Sequence, residues 1–224
     1  MVNGIPADGI LLDLDGTLWD AVEGICKGWN EGFAECGLEP NLTVPQLRGC
    51  MGLLMEDIAA RILPQLPTGE ARMAIMEVCY RHQLAYLSAH GGALYPAVAE
   101  TLRELSERLP LFIVSNCQDG YIQCFLKYYH LESVIRDFLC PGQSGQAKAE
   151  NIAALVRRHR LSHPVYVGDT QGDCDAAHAA GVPFLHAAYG FGAAQGAEGA
   201  IASFDQLPAA IQIISPPQFG AGAV

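Results

Sequence analysis

The sequence predicts an α/β fold, a doubly wound parallel sheet with a small all-helical cap domain inserted after its first strand. Three observations predict it. Short apolar runs recur near the start of the chain and again throughout its second half, separated by segments of helical periodicity. The stretch from 20 to 92 has helical periodicity and no strand-like run. Several apolar runs end in small polar or acidic residues, the side chains that meet ligands beyond the carboxyl ends of such strands.

The elements follow in order. Ile10 to Leu14 is a buried strand, stopped by Asp15, Gly16 and Thr17. A helix from about Val22 to Cys36 ends at Gly37. Met73, Met76, Tyr80, Gln83, Leu84 and Leu87 share one face of a later helix, while Pro64 and Pro67 break the region into separate helices. The texture changes at Gly91 and Gly92. Val98, Leu102, Leu105 and Leu109 mark an amphipathic helix, and Leu111 to Ser115 is a second buried strand. Helices follow around Ile122 to Tyr129 and Ile152 to His159, with a third strand at Phe138 to Cys140 between them. Pro164 to Gly168 is a strand, Asp173 to Ala180 an Ala-rich helix, and Val182 to Leu185 a final strand. The expected boundaries are a catalytic core of residues 1–19 and 93–214, a cap of 20–92, and a flexible Pro- and Gly-containing tail of 215–224.

Composition narrows the function. With 13 Lys plus Arg against 24 Asp plus Glu, the 224-residue chain carries a net charge of −11. Such a surface argues against nucleic acid or anionic membrane partners. No apolar run approaches the ~20 residues of a membrane span, and Met1 to Gly9 lacks the pattern of a signal peptide, so the expected location is cytoplasmic. The eight cysteines are scattered without a C-x-x-C pair. They read as small buried hydrophobes rather than disulfides or a zinc site.

The strand ends carry the chemistry. The first offers Asp13, Asp15 and Thr17, the second Ser115 and Asn116, and the strand at Pro164 to Gly168 is followed by Asp169 and Asp173. Lys148 opens a helix after the loop at Gly145 to Ala147. Crowded carboxylates repel unless a cation or protons intervene. An all-oxygen donor set favours a hard cation, with Mg²⁺ the best fit. A divalent ion and a lysine together suit a phosphoryl group. A carboxylate held against it can attack, and a second carboxyl can protonate the leaving oxygen.

The run D-L-D-G-T-L at Asp13 to Leu18, V-S-N at Val114 to Asn116, Lys148, and G-D-T-Q-G-D at Gly168 to Asp173 resemble the haloacid dehalogenase superfamily in its phosphatase branch. The likeness is strongest to phosphoglycolate-phosphatase-like members with a helical cap after the first strand. The resemblance implies a Rossmann-like core and a Mg²⁺-dependent phosphatase acting on a small phosphorylated metabolite through an aspartyl phosphate. It implies Asp13 as nucleophile and metal ligand, and Asp15 as general acid/base with its backbone carbonyl on the metal. Ser115 and the Asn116 amide would bind phosphate, Lys148 would hold nucleophile and phosphoryl together, and Asp169 would ligate the metal directly. Asp173 would act through metal-bound water or orient Lys148, and Thr17, among the phosphate-binding residues, would support the loop or bond Asp15. An acid at position 15 favours phosphoryl transfer over dehalogenation.

Two other functions fit the same residues: a phosphomutase of the family, and a catalytically idle module that binds a protein. In the cap, Arg48 is the candidate to hold a second anion on the substrate. Glu56, Asp57, His82, Tyr86 and His90 are further polar candidates, each better suited to a helix surface or a satisfied structural role. Cys117 follows the second motif directly and is a candidate redox-sensitive thiol or an inert small side chain.

Overall fold

The chain enters through β1 (Ile5–Ala7) and β2 (Gly9–Leu12). In the computed structural model, which describes residues 4–214, every residue of β2 is buried, as expected of a strand covered on both faces. The tail expected to be flexible, 215–224, lies outside the described residues. Asp13 to Leu18 then form a turn rather than more strand. The Leu14 carbonyl accepts from the amides of Thr17, Leu18 and Trp19.

From β3 (Trp19–Asp20) the chain leaves the core and builds α1 (Val22–Glu35), α2 (Val44–Arg48), α3 (Met55–Ile62) and α4 (Gly69–His90) before returning through β4 (Ala93–Leu94). Local chemistry explains the boundaries. Asp20 accepts from the Val22 amide at the start of α1. Thr43 and Gln46 form a reciprocal capping box on α2, and Thr68 caps α4. The long helices α1 and α4 lie unusually close. Trp29 Nε1 donates to Gln83 Oε1 at 2.6 Å across them. Gly28 and Gly32 permit the approach, because a Cβ at either would sit 2.7 or 2.6 Å from backbone atoms of Gln83 or Cys79.

The second half alternates helix and strand: α5 (Val98–Ser106), β5 (Leu111–Val114), α6 (Tyr121–Tyr129), β6 (Asp137–Leu139), α7 (Pro141–Ser144), α8 (Lys148–His159), β7 (Pro164–Gly168), α9 (Gln171–Ala179), β8 (Phe184–Ala187), β9 (Gly199–Ile201), α10 (Leu207–Ala210) and β10 (Ile211–Ile213). Six strands form one all-parallel sheet in the order β6-β5-β2-β7-β8-β9. The central strands β2 and β5 are fully buried, whereas the edge strands β6 and β9 are not.

Sequence reasoning missed β1, β9 and β10. Each is three residues long, and β1 pairs only with β10 in a separate two-stranded ribbon. The strand expected at Val182 to Leu185 lies instead at Phe184–Ala187. Pro183 cannot donate to a ladder, and its carbonyl only receives the Tyr166 amide as the strand begins. Helix α9 starts at Gln171, ahead of the expected Asp173, because Thr170 caps it.

Candidate active site

The order of the sheet puts the ends of β2, β5 and β7 side by side. Asp13 follows β2, Ser115 follows β5 and Asp169 follows β7, and all three are buried. Lys148 opens α8 and Asp173 lies in the first turn of α9, also buried. Side chains far apart in sequence therefore meet because parallel strands present their carboxyl ends to one edge.

Lys148 is the hub. Its Nζ donates to Asp13 Oδ1 at 2.8 Å and to Asp173 Oδ1 at 2.6 Å. Burial alone would strip its proton, but Asp13 and Asp173 outweigh burial and hold it charged, well above the ordinary lysine range. Burial also pushes Asp173 up. Lys148 and the Thr170 hydroxyl and amide, which bond Asp173 Oδ2, outweigh it and leave Asp173 lowered. Of its two expected roles, Asp173 makes the contact that orients Lys148.

The other carboxylates behave differently. Burial raises Asp13 to about 7 against the pull of Lys148, helped by repulsion from Asp173 and Asp169. Burial raises Asp169 to about 7 as well, with Asp173 adding to the rise. Oxygens of Asp13, Asp169 and Asp173 lie within 4.8 Å of one another. Asp169 Oδ2 accepts from the Phe191 amide at 2.7 Å, but its Oδ1 is buried without a partner among the described residues. A buried, unpartnered carboxylate oxygen beside two other carboxylates suits a hard divalent cation. Gly16, at φ +84, turns the loop over Asp169, and a Cβ there would collide with the Asp169 carboxylate.

Asp15 sits outside this cluster. Its Oδ1 accepts from the Tyr121 hydroxyl at 2.8 Å. Burial raises it to about 7, opposed by the bond from Tyr121 and increased by the nearby charge of Asp13. Tyr121, at the start of α6, was not singled out from the sequence. Its signal is faint, an aromatic six residues after Ser115 in an otherwise core-facing helix. Its ring lies 5.5 Å from that of Trp19. Thr17 is buried and its Oγ1 has no partner among the described residues.

Asn116 reaches the cap. Its Nδ2 donates to the Gly52 carbonyl at 3.0 Å, and its Oδ1 is buried with no partner. Tyr80 of α4 adds a second contact, donating to the Asp119 carbonyl at 2.6 Å. Arg48 does not stand free in the cavity beside the phosphate motifs. It pairs with Asp20 at 2.9 Å and lies over the Phe191 ring at 5.0 Å. His82 is held between Glu31 and Glu35, and Tyr86 accepts from Lys27. Glu56 alone of the cap's polar candidates lines a cavity next to Asn116. Burial and the contact with Cys140 push the Cys117 thiol far above its ordinary range, which disfavours the reactive thiolate.

Residues 10–187 match the family described as haloacid dehalogenase-like hydrolase. A phosphoglycolate phosphatase of Cupriavidus necator is 28% identical, over 92% of this chain and 93% of its own length. A haloacid dehalogenase-like family hydrolase from Streptococcus pneumoniae superposes with a TM-score of 0.76 at 23% identity, covering 90% of this chain and 97% of that one. A mutant of CbbY from Rhodobacter sphaeroides, solved with xylulose-(1,5)bisphosphate, superposes at 0.75 and 19% identity over 90% and 96% of the two chains. Both structural likenesses speak for the fold. A family match over most of the chain and full-length phosphatase relatives place the protein: it belongs to the haloacid dehalogenase-like hydrolases, as a phosphatase similar to the phosphoglycolate phosphatases.

Proposed function

We propose that the chain is a Mg²⁺-dependent phosphatase that hydrolyses a small phosphorylated metabolite through an aspartyl phosphate on Asp13. The observation that carries this reading is the buried Asp13–Lys148–Asp173 bridge, with the unpartnered oxygen of Asp169 beside it. Asp13, the Asp15 carbonyl and Asp169 would hold the ion, with Asp173 behind them. Bound there, the ion would neutralise charge on the phosphoryl oxygens and bring Asp13 and substrate together despite their like charges.

The chain's own residues account for the rest. Asp13 is the nucleophile, and Lys148 fixes its carboxylate and would share a phosphoryl oxygen. Ser115 and the Asn116 amide would bind the remaining oxygens, and Thr17 would support that loop with its unpartnered hydroxyl. Asp15 would protonate the leaving oxygen. At about 7, Asp15 is partly protonated at neutral pH, as a general acid requires, while Asp13, raised as far by burial, would be held ionised by Lys148 and the ion. It would then take a proton from the water that cleaves the aspartyl phosphate.

The test is to quench turnover in acid and look for one phosphoryl group on the peptide containing Asp13. The modified peptide, with phosphate release and no bisphosphate product, supports hydrolysis. A bisphosphate product would favour the mutase, and an unmodified peptide under rapid turnover would remove the covalent step.

A further inference from the structure

The cap contributes a wall to a cavity of about 280 Å³, at the small end of small-molecule sites. On the core side it is lined by Asn116 and Ala147, the residues directly after Ser115 and directly before Lys148. Ser115 and Lys148 do not line it themselves, but their chain neighbours do, so a group esterified to a phosphoryl held by those two side chains has this space within reach. The opposite wall is Leu54, Met55 and Glu56, at the start of α3.

No lysine, arginine or histidine lines the cavity. The basic residues of the segment 20–92 are engaged elsewhere. Lys27 donates to Tyr86, Arg48 pairs with Asp20, and Arg81 pairs with Glu35. Arg61 donates to the Gly49 carbonyl, and Arg72 to those of Leu63 and Leu66. Lys148 is buried between its two carboxylates. The one charged side chain on the wall is Glu56, an anion.

Gln118 and Gln146 add neutral carboxamides, which donate as well as accept. Asn116 Nδ2 is committed to the Gly52 carbonyl, which sets the orientation of the amide. Its Oδ1 is left buried as an acceptor without a donor. Glu56 is likewise an acceptor only. A carboxylate or second phosphate on the leaving group would meet a like charge and no cation, whereas hydroxyl groups can donate to Glu56 and pair with the two carboxamides.

We infer that the preferred substrate is a phosphate monoester of a small neutral alcohol with free hydroxyls, a polyol or sugar monophosphate, and not the phosphate ester of a hydroxy acid or a bisphosphate. The inference rests on the phosphatase reading above and concerns only the leaving group. It also removes the need for Arg48 to hold a second anion.

The experiment uses size-matched pairs with Mg²⁺: hydroxyethyl phosphate against phosphoglycolate, and glycerol 3-phosphate against 3-phosphoglycerate. The neutral member of each pair should be favoured at least ~10-fold in kcat/KM, the scale on which an unpaired polar group discriminates. Glu56 is exposed, so Glu56→Lys should fold, and it should raise the acid-to-alcohol ratio of kcat/KM by ~10-fold or more. Preference for the acids in the unmodified chain, or a ratio unmoved by Glu56→Lys, overturns the inference. In either case hydrolysis of p-nitrophenyl phosphate would show that the phosphatase reading survives. Failure to hydrolyse any ester, p-nitrophenyl phosphate included, overturns both.

Discussion

The sheet edge and the cap carry charge in opposite ways. At the edge, Lys148 is buried between two buried carboxylates, and no solvent competes for its bonds. In the cap, Arg81 and Glu35 pair at 2.6 Å with side chains 60% and 46% exposed. Removing one partner of a buried pair leaves an uncompensated charge, while an exposed pair is worth little. The core therefore depends on each of its charged groups, whereas the cap can change its own at low cost. On the proposed reading, the first region performs the chemistry and the second selects the substrate.

The sharpest test of that contrast is Asp13→Asn, which keeps shape but removes the proposed nucleophile. kcat should fall by at least ~10³, measured on p-nitrophenyl phosphate to exclude cap effects. Retained activity in a clean preparation would break the comparison at its strongest point.

Removal of divalent ions comes next. Turnover should stop with chelator and return with Mg²⁺, and Ca²⁺ should restore it poorly because it is larger and takes more ligands. Full activity after exhaustive chelation would remove Asp169 from its assigned role.

Tyr121→Phe should have a smaller and more selective effect. The hydroxyl bonds Asp15, so its loss should disturb protonation of the leaving oxygen. Alkyl phosphates should lose ~10-fold in single-turnover phosphorylation rate, less than the ~10² of a full acid–base contribution because Asp15 itself remains. The p-nitrophenyl ester, whose leaving group needs no proton, should lose little. Equal losses on both would make Tyr121 a packing residue.

The buried carboxylates also predict a pH dependence of stability. Asp13, Asp15 and Asp169 bind protons more tightly folded, at about 7, than at their ordinary 3.8. Metal-free protein should therefore lose stability as pH rises from the ordinary carboxylate range through about 7. Asp173 is lowered and Lys148 raised, so both stay charged across that window and add no slope. Chelated protein should melt lower at about pH 8 than at about pH 6, and Mg²⁺ should raise the Tm more at the higher pH. A flat Tm profile would show that repulsion among these carboxylates is relieved without metal.

Arg48→Ala should do least. The Asp20 pair is partly exposed, so its loss should cost no more than ~1 kcal/mol of stability. The ratio of kcat/KM between acidic and neutral esters should stay constant. A selective rise in KM for the acids would return Arg48 to the substrate.

How much was legible in advance followed the same division. Asp13, Ser115, Lys148 and Asp169 stood out because each sits at the end of an apolar strand or opens the helix after one, and a parallel sheet brings such ends together by topology alone. Tyr121 and the Phe191 amide were not visible. One acts through a helix start and the other through backbone, and neither leaves a pattern in residue type. Arg48 was conspicuous because a guanidinium fork fits a carboxylate or phosphate, but the sequence could not show that Asp20 had already engaged it. The short outer strands escaped because three residues cannot display an alternation.

The pairing of β3 with β4 has a consequence for how such a chain can be altered. Trp19 lies opposite Leu94 and Asp20 opposite Ala93, in antiparallel register. The excursion between them returns to the point it left, so its net displacement across the core is close to zero. The register of β2 against β5 and β7 is then indifferent to the length of the excursion or to what it contains. Segments of other size could be spliced at this double crossing without shifting any carboxylate at the sheet edge, as a socket accepts different plugs.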